Sequence, residues 1–219
     1  MRRIFALAAC CLLGACNSSG SSGYGQYYQV LRDSVAASFG NGRITRDQAA
    51  AIPYASMGYR LNRENERLVV LATDANGEQL WTSAAHIVIV TRGGRITRTV
   101  GLEHDIASMA PKFGQQLPEL ASALKGTLTY TRVQDFPSLP AYDVTLACTL
   151  SAKGAQTVTV LGRGIATVRI DETCRSASPR WSFTNNYWID PATGLSWRSR
   201  QYIGPQGDRI DTEILRPPG

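Results

Sequence analysis

The sequence predicts a mainly β fold: a curved, largely antiparallel sheet, a meander that curls as far as a half-barrel, with a few short helices. Three observations predict it. From Tyr59 onward, short apolar runs rich in Val, Ile, Thr and Trp succeed one another. Asp74-Ala75-Asn76-Gly77 and Gly93-Gly94 separate them with hairpin-turn residues. No helix-period pattern alternates with the strands, as a parallel βαβ sheet would require.

The chain opens differently. Arg2 and Arg3 form a basic head, Ile4 to Leu13 an apolar run, and Gly14-Ala15 a small-residue exit before Cys16. That is the layout of a secretory signal. The run is too short for a transmembrane helix, which needs about 20 apolar residues. Leu13-Gly14-Ala15-Cys16 resembles the bacterial lipobox, whose cysteine takes a diacylglycerol and becomes the mature N-terminus. Residues 1–15 are therefore expected to be a lipoprotein signal peptide, and residues 16–24 a lipidated cysteine and its Gly/Ser-rich flexible tether. Residues 25–219 are expected to form a single β-rich periplasmic domain. Two or more acyl chains anchor stably where one does not. Asn17 is not the aspartate of an inner-membrane retention signal, so the periplasmic face of the outer membrane is the expected address.

Within the domain, Tyr28, Leu31, Val35 and Phe39 recur at helical spacing, and Gly40-Asn41-Gly42 ends the run. Thr45 with Gln48 three residues later is a capping box that starts a short helix before Pro53. The strands follow: one ending at the Asp-Ala-Asn-Gly turn, one long strand containing His86 to Gly93-Gly94, and one beyond. Counting outward from Gly93-Gly94 sets Arg92 opposite Arg95, Val90 opposite Thr97 and Val88 opposite Thr99. Facing like charges are unfavourable unless solvated or shared with an anion, and solvation is expected here. Ile87 to Val90 is apolar on both faces, which places its strand centrally. Residues 117–126 read as a helix with Pro118 near its start and Gly126 past its end. Strands are expected at 127–136, 142–150, 156–161 and 165–171. A hairpin through Asp190-Pro191-Ala192-Thr193-Gly194 and a last strand complete the chain. Centring that turn between Ala192 and Thr193 pairs Trp188 with Trp197 and Tyr187 with Arg198.

Charge and cysteine content narrow the function. Loss of Arg2 and Arg3 takes 23 basic residues to 21 against 17 acidic ones, a net +4. The arginines are dispersed rather than clustered, which excludes the basic tracts of a nucleic-acid binder. Cys148 and Cys174 form an even pair in an oxidising compartment and read as a disulfide, although hairpin counting does not set them opposite each other; two buried free thiols are the alternative. Enzyme signatures are missing: there is no Gly-x-Ser-x-Gly, His-Glu-x-x-His, phosphate loop or Cys-x-x-Cys. With two histidines, no multi-histidine metal site forms. His86 reads as a core or edge residue of an apolar strand, and His104, between Glu103 and Asp105, as part of a solvated loop. No catalytic residue, cofactor or metal is expected. The strand tryptophans Trp81, Trp181, Trp188 and Trp197 offer aromatic faces. Trp188 and Trp197 with Arg198, Arg92 and Arg95 are the candidate contacts for a glycan or a protein partner; packing within the sheet is the competing role for any tryptophan.

Several segments carry a wider likeness. "IPYASMGYRLN", "GEQLWTSAAHIVIVTRGGRITRTVGLEHDI", "WIDPATGLSWRSRQYIGP" and "EILRPP", in this order behind the lipobox, resemble the YjbF/GfcB family of outer-membrane lipoproteins linked to capsule and exopolysaccharide production. The resemblance spans essentially the whole mature chain and implies a β-rich periplasmic domain serving polysaccharide secretion, with the glycan or the secretion machinery as partner. It supplies no catalytic residues. A lipid or lipoprotein carrier with an apolar concave sheet is the alternative, and a glycan-processing enzyme with two facing carboxylates a third. The anchor is directly testable. Mass spectrometry of the native protein is expected to find a diacylglycerol on Cys16, and Cys16→Ser is expected to move the protein out of the membrane fraction; a bare thiol on Cys16 would contradict the reading.

Overall fold

The computed structural model describes residues 42–139 and 141–219; Cys16, the tether and the helix expected over Tyr28 to Phe39 lie outside the described residues. The strands are β1 (Ser56–Leu61), β2 (Arg67–Ala75), β3 (Glu78–Thr82), β4 (Val88–Arg92), β5 (Arg95–Val100), β6 (Ser108–Pro111), β7 (Leu128–Phe136), β8 (Ala141–Val160), β9 (Arg163–Ser176), β10 (Trp181–Ile189), β11 (Ser196–Tyr202) and β12 (Arg209–Arg216). They form one antiparallel sheet in the order β5-β4-β3-β2-β1-β12-β11-β10-β9-β8-β7-β6. Each strand pairs with its neighbours in sequence except β5 and β6, which form the two edges, and the first strand also pairs with the last, β1 against β12. The two edges, β5 and β6, come back together: the Thr99 amide donates to the Ile106 carbonyl at 2.9 Å. The meander has thus curled past a half-barrel into a nearly closed barrel with a seam between β5 and β6.

Side-chain alternation explains the curl. Along β8, Val144, Leu146, Cys148 and Leu150 are buried while Thr145, Ala147 and Thr149 are exposed, the period of two that a half-buried strand requires. Val144, Leu146 and Cys148 of this set meet Met57, Tyr59, Val69, Trp81, Ile89 and Phe183 in the main core. A 3₁₀ turn, Leu120–Lys125, plugs one end by setting Leu120 and Ala123 on Leu150, Ile170, Tyr187 and Ile189. Beside this plug, Gly94 has φ +84° and a Cβ there would come within 2.5 Å of the Ser196 side chain, so both turn and packing demand glycine. Helix α1 (Arg46–Ala50) begins on the predicted capping box, Gln48 N donating to Thr45 Oγ1 and Thr45 N to Gln48 Oε1.

One feature outgrows the barrel. β8 and β9 continue as a two-stranded arm past an irregularity between Ala152 and Gly154, where Gly154 takes φ 111°. The arm lies on the outer face of the sheet, Val158 and Val160 packing with Ile44, Ala49, Ile52, Leu68, Val70 and Leu215. Leu68 and Val70 point outward because Val69 between them belongs to the main core. Arg46 fixes the arm's tip, its guanidinium donating to the Leu161 carbonyl at 2.8 and 3.1 Å.

Several local expectations are corrected. The long strand breaks at residues 83–87 into β3 and β4, and His86 is exposed in that turn with φ 61° rather than part of a strand. Arg92 does face Arg95, but an irregularity after Val90 shifts the rest, so Val90 faces Arg98, Ile89 faces Thr99 and Val88 faces Val100. β4 is next to an edge strand rather than central. An irregularity between Trp188 and Ile189 sets Trp188 against Arg198 and Tyr187 against Ser199, not against Trp197 and Arg198. Each bulge adds one unpaired residue and moves everything beyond it by one position. The strands expected at 142–150 and 156–161 are one strand, and β6 has no counterpart among the expected strands.

Cys148 and Cys174 are direct cross-strand partners and are bonded, closing a loop of sequence separation 26. Constraining a loop of that size in the unfolded chain contributes about 3 kcal/mol.

A charged group lies among the apolar side chains. Glu172 is fully buried; Arg95 Nε approaches its Oε1 at 2.7 Å and Arg132 Nη1 its Oε2 at 3.5 Å. The Tyr130 hydroxyl also donates to Oε1, and Asn185 Nδ2 and the Tyr187 hydroxyl donate to Oε2 at 2.9 and 3.1 Å. Burial works to raise the Glu172 pKa, but the charges of Arg132 and Arg95 and the hydrogen bond from Tyr130 outweigh it and hold the carboxyl far below the usual range. Burial and then the Glu172 charge push both tyrosines up, so they stay neutral donors. Glu172→Gln leaves two guanidinium groups without their counter-charge and is expected to cost about 3–5 kcal/mol in urea unfolding near neutral pH. A depressed carboxyl pKa stabilises above the unfolded value, near about 4.3, and that contribution fades as pH falls toward the folded value. The advantage of the native protein over the variant should therefore shrink below about pH 4. A gap that stayed constant from neutral pH into acid would contradict the ion-pair account.

Candidate functional site

The five predicted contact residues do not come together. Arg92 stands exposed at the β4–β5 turn with Glu78 at 3.2 Å. Arg95, expected in solvent, is the buried partner of Glu172 and donates through Nη1 to the Pro118 carbonyl at 2.8 Å. The facing pair Arg92 and Arg95 is thus resolved by sending one guanidinium into the barrel, where a carboxylate meets it. Trp197 is half-buried and packs against both the main core and the cluster beneath the arm. Only Trp188 and Arg198 share a place, opposite each other on the outer face of β10 and β11.

That place is a seat for the arm rather than an open platform. Trp188 is 9 % exposed, its indole donates to Gln156 Oε1 at 2.7 Å, and the Arg169 guanidinium lies 5.9 Å from its ring centroid. Arg198 donates to the Thr159 carbonyl of the arm at 2.7 Å and pairs with Glu213 of β12. Of the two roles open to Trp188, contact and packing, its surroundings are those of packing: Gln156, 32 positions away in sequence, lies over it. Trp81 and Trp181 point into the barrel, Trp81 donating to Thr91 Oγ1 at 3.0 Å and Trp181 stacking on Phe183 at 4.1 Å.

Beside the seat lies a groove of about 190 Å³ lined by Arg43, Arg60, Glu66, Arg200, Asp211 and Glu213, among others. Its carboxylates are engaged. Glu213 is shared by Arg43 at 2.8 Å and by Arg198. Asp211 meets Arg60, Arg200 and Arg209 at 3.1 to 3.3 Å. Glu66 accepts the Ile44 amide at 2.7 Å, and its side chain lies close over Gly58, Oε1 only 3.0 Å from where a Cβ would stand. Burial raises the Glu66 pKa; the Ile44 amide opposes this and the Glu213 charge adds to it. Small-molecule pockets occupy roughly 300–1,000 Å³, so this groove is a fastening rather than a substrate cleft. It ties Arg43 and Ile44, the start of the described chain, to the barrel wall. The pattern Arg198-Ser-Arg200 facing Asp211-Thr-Glu213 carries that signal in sequence, once the register is known.

Two other surface hollows are larger. One of about 560 Å³ lies at the end of the barrel opposite the plug, with Tyr142, Pro179 and Pro205 among its walls. The other, of about 700 Å³, lies over the outer face of β7, β8 and β9. His104 does not stand free in its loop: Nδ1 lies 2.6 Å from Asp208 Oδ2, joining two turns at the end opposite the plug. Among the described residues, no group of three His, Cys, Asp or Glu side chains is placed to hold a metal ion.

Comparison with known proteins adds the family. Residues 33–215 match the family described as "Group 4 capsule polysaccharide lipoprotein gfcB, YjbF". The chain is 30 % identical to the lipoprotein GfcB of Escherichia coli (strain K12) over 193 residues, covering 86 % of this chain and 90 % of that one. It is 28 % identical to the lipoprotein YjbF of the same organism over 222 residues, covering 99 % and 98 % of the two chains. The crystal structure of the E. coli (K12) lipoprotein YmcC superposes with a TM-score of 0.70 at 25 % identity, over 88 % of this chain and 96 % of that one. The nearly closed antiparallel barrel described above is therefore the fold of a member of the YjbF/GfcB family of capsule polysaccharide lipoproteins, to which this chain belongs.

Proposed function

We propose that the protein is held on the periplasmic face of the outer membrane by acyl chains on Cys16 and assists the assembly or secretion of a capsular or extracellular polysaccharide without catalysing a reaction. The family match over residues 33–215 is the observation that carries this reading, and the lipobox ahead of it supports the anchor. The engagement of the acids supports a non-enzymatic role. Glu172, Asp211 and Glu213 are each bound by arginine, which leaves them poorly suited to move protons during glycan cleavage.

The barrel interior counts against lipid carriage. A carrier needs a hollow apolar lumen, whereas Trp81, Tyr59, Tyr187, Leu146, Leu150 and Ile170 fill this one and the Glu172 ion pairs cross it. An acyl chain would have to displace side chains from a packed core and desolvate paired charges.

Deleting the gene is expected to lower surface polysaccharide, measured as uronic acid and total hexose released from washed cells under inducing conditions. The native gene should restore it and the Cys16→Ser form should not. Unchanged polysaccharide in the deletion strain would remove the proposal.

A further inference from the structure

The larger hollow lies over an unusual floor. Thr129 of β7 pairs with Thr149 of β8, Thr149 with Thr173 of β9, and Thr173 with Thr184 of β10. Four adjacent strands thus place threonine in one straight row across the outer face. The next row is Thr131, Ala147, Arg175 and Ser182. Thr129 and Thr149 are exposed, and the Thr173 and Thr184 hydroxyls lie 3.0 Å apart. Gln115 stands on the rim, its side-chain oxygen accepting the Thr131 amide at 3.0 Å.

Such a floor has definite chemistry. Neighbouring strands lie about 4.8 Å apart, close to the advance of one pyranose along a glycan chain, so hydroxyls on successive strands can meet successive sugars. Threonine is stiff at χ1, and little side-chain entropy is lost when a ligand settles on it. The volume, about 700 Å³, falls within the range that binding sites occupy. The charges are one-sided. Arg175 is exposed and has no ion-pair partner among the described residues, and neither has Lys112, whose amide bonds the Thr131 carbonyl at 3.1 Å. Asp171, on the same face of β9, is already held by Arg169 at 2.8 Å and by Asn186 at 2.9 Å.

We infer that this groove is a binding site for a strand of acidic polysaccharide, with the threonine hydroxyls bonding sugar hydroxyls and Arg175 and Lys112 pairing with its carboxylates. The inference rests on the proposed role in polysaccharide secretion and names the surface that would perform it. It assigns recognition to a hydroxyl array instead of to the tryptophans, which the arm and the core have taken.

The test uses the full-length lipoprotein in detergent, with galacturonate oligomers as the acidic probe and dextran oligomers of equal length as the neutral one. The native protein is expected to bind the acidic oligomers by calorimetry and to bind the neutral ones more weakly. Thr149→Val with Thr173→Val keeps shape and removes two hydroxyls, and should weaken binding about tenfold, as the loss of two neutral hydrogen bonds dictates. Arg175→Gln should weaken the acidic probe alone and flatten its salt dependence. All variants should keep the native melting temperature within a few degrees, which separates lost contacts from lost folding. Equal affinity of native protein and variants overturns the site, and stronger binding of dextran overturns the acidic class. Binding of neither probe, with a secretion protein released by the same substitutions, assigns the face to a protein partner and also overturns the inference. In cells the two readings part: normal export by a variant combining Thr149→Val, Thr173→Val and Arg175→Gln, in a strain whose deletion lowers export, defeats the groove and leaves the accessory role standing.

Discussion

The barrel turns on one buried carboxylate. Glu172 sits on β9, Arg132 on β7 and Arg95 on β5, so the two guanidiniums reach it from opposite sides of the seam between β5 and β6. Arg95 also holds the Pro118 carbonyl just before the plugging turn. One acid therefore joins the β5 edge, the strand beside the β6 edge and the stopper at the barrel's end. Apolar side chains of equal volume would pack there as tightly, because desolvating charges offsets most of their attraction. What the charges add is a penalty on every other register. A one-residue slip of β5 or β9 turns a charged side chain outward and strands its partner in the core.

The arm is a second organising device. Its two strands leave the barrel at Gly154 and return along the outer face, where Arg198 takes hold of the Thr159 carbonyl and Arg46 of the Leu161 carbonyl. Arg43 shares Glu213 with Arg198, and Ile44 hands its amide to Glu66. Residues 43–46 are thereby bound to the sheet and to the arm at once.

Much of the architecture was legible. Period-two alternation revealed most strands, Gly93-Gly94 and Asp190 to Gly194 marked real hairpins, and the Thr45 capping box began a helix where expected. Arg92 opposite Arg95 follows from the turn, but its consequence does not. The carboxylate that takes Arg95 inward is 77 positions away, and nothing in the local pattern distinguishes a solvated arginine from one with a distant buried partner. Bulges after Val90 and Trp188 defeated outward counting, since an extra residue leaves no mark in composition. Trp188 illustrates the same limit at the site. Its alternation places it on the outer face, and only the fold shows that another part of the chain lies over that face. The threonine row was written in the sequence as single residues on four strands, invisible until the registers aligned them.

The pairing of β1 with β12, Ser56 against Arg216, has a consequence for how the molecule is made and how it fails. β12 is made after every other described strand, so until it emerges the nascent polypeptide holds β1 with one side bare, a long-range closure of the kind that slows folding and exposes edges. A premature stop shortly before residue 209 would remove a strand from the middle of the sheet order, splitting the wall in two rather than trimming its margin. The integrity of the wall thus depends on β12, the strand that joins its two halves.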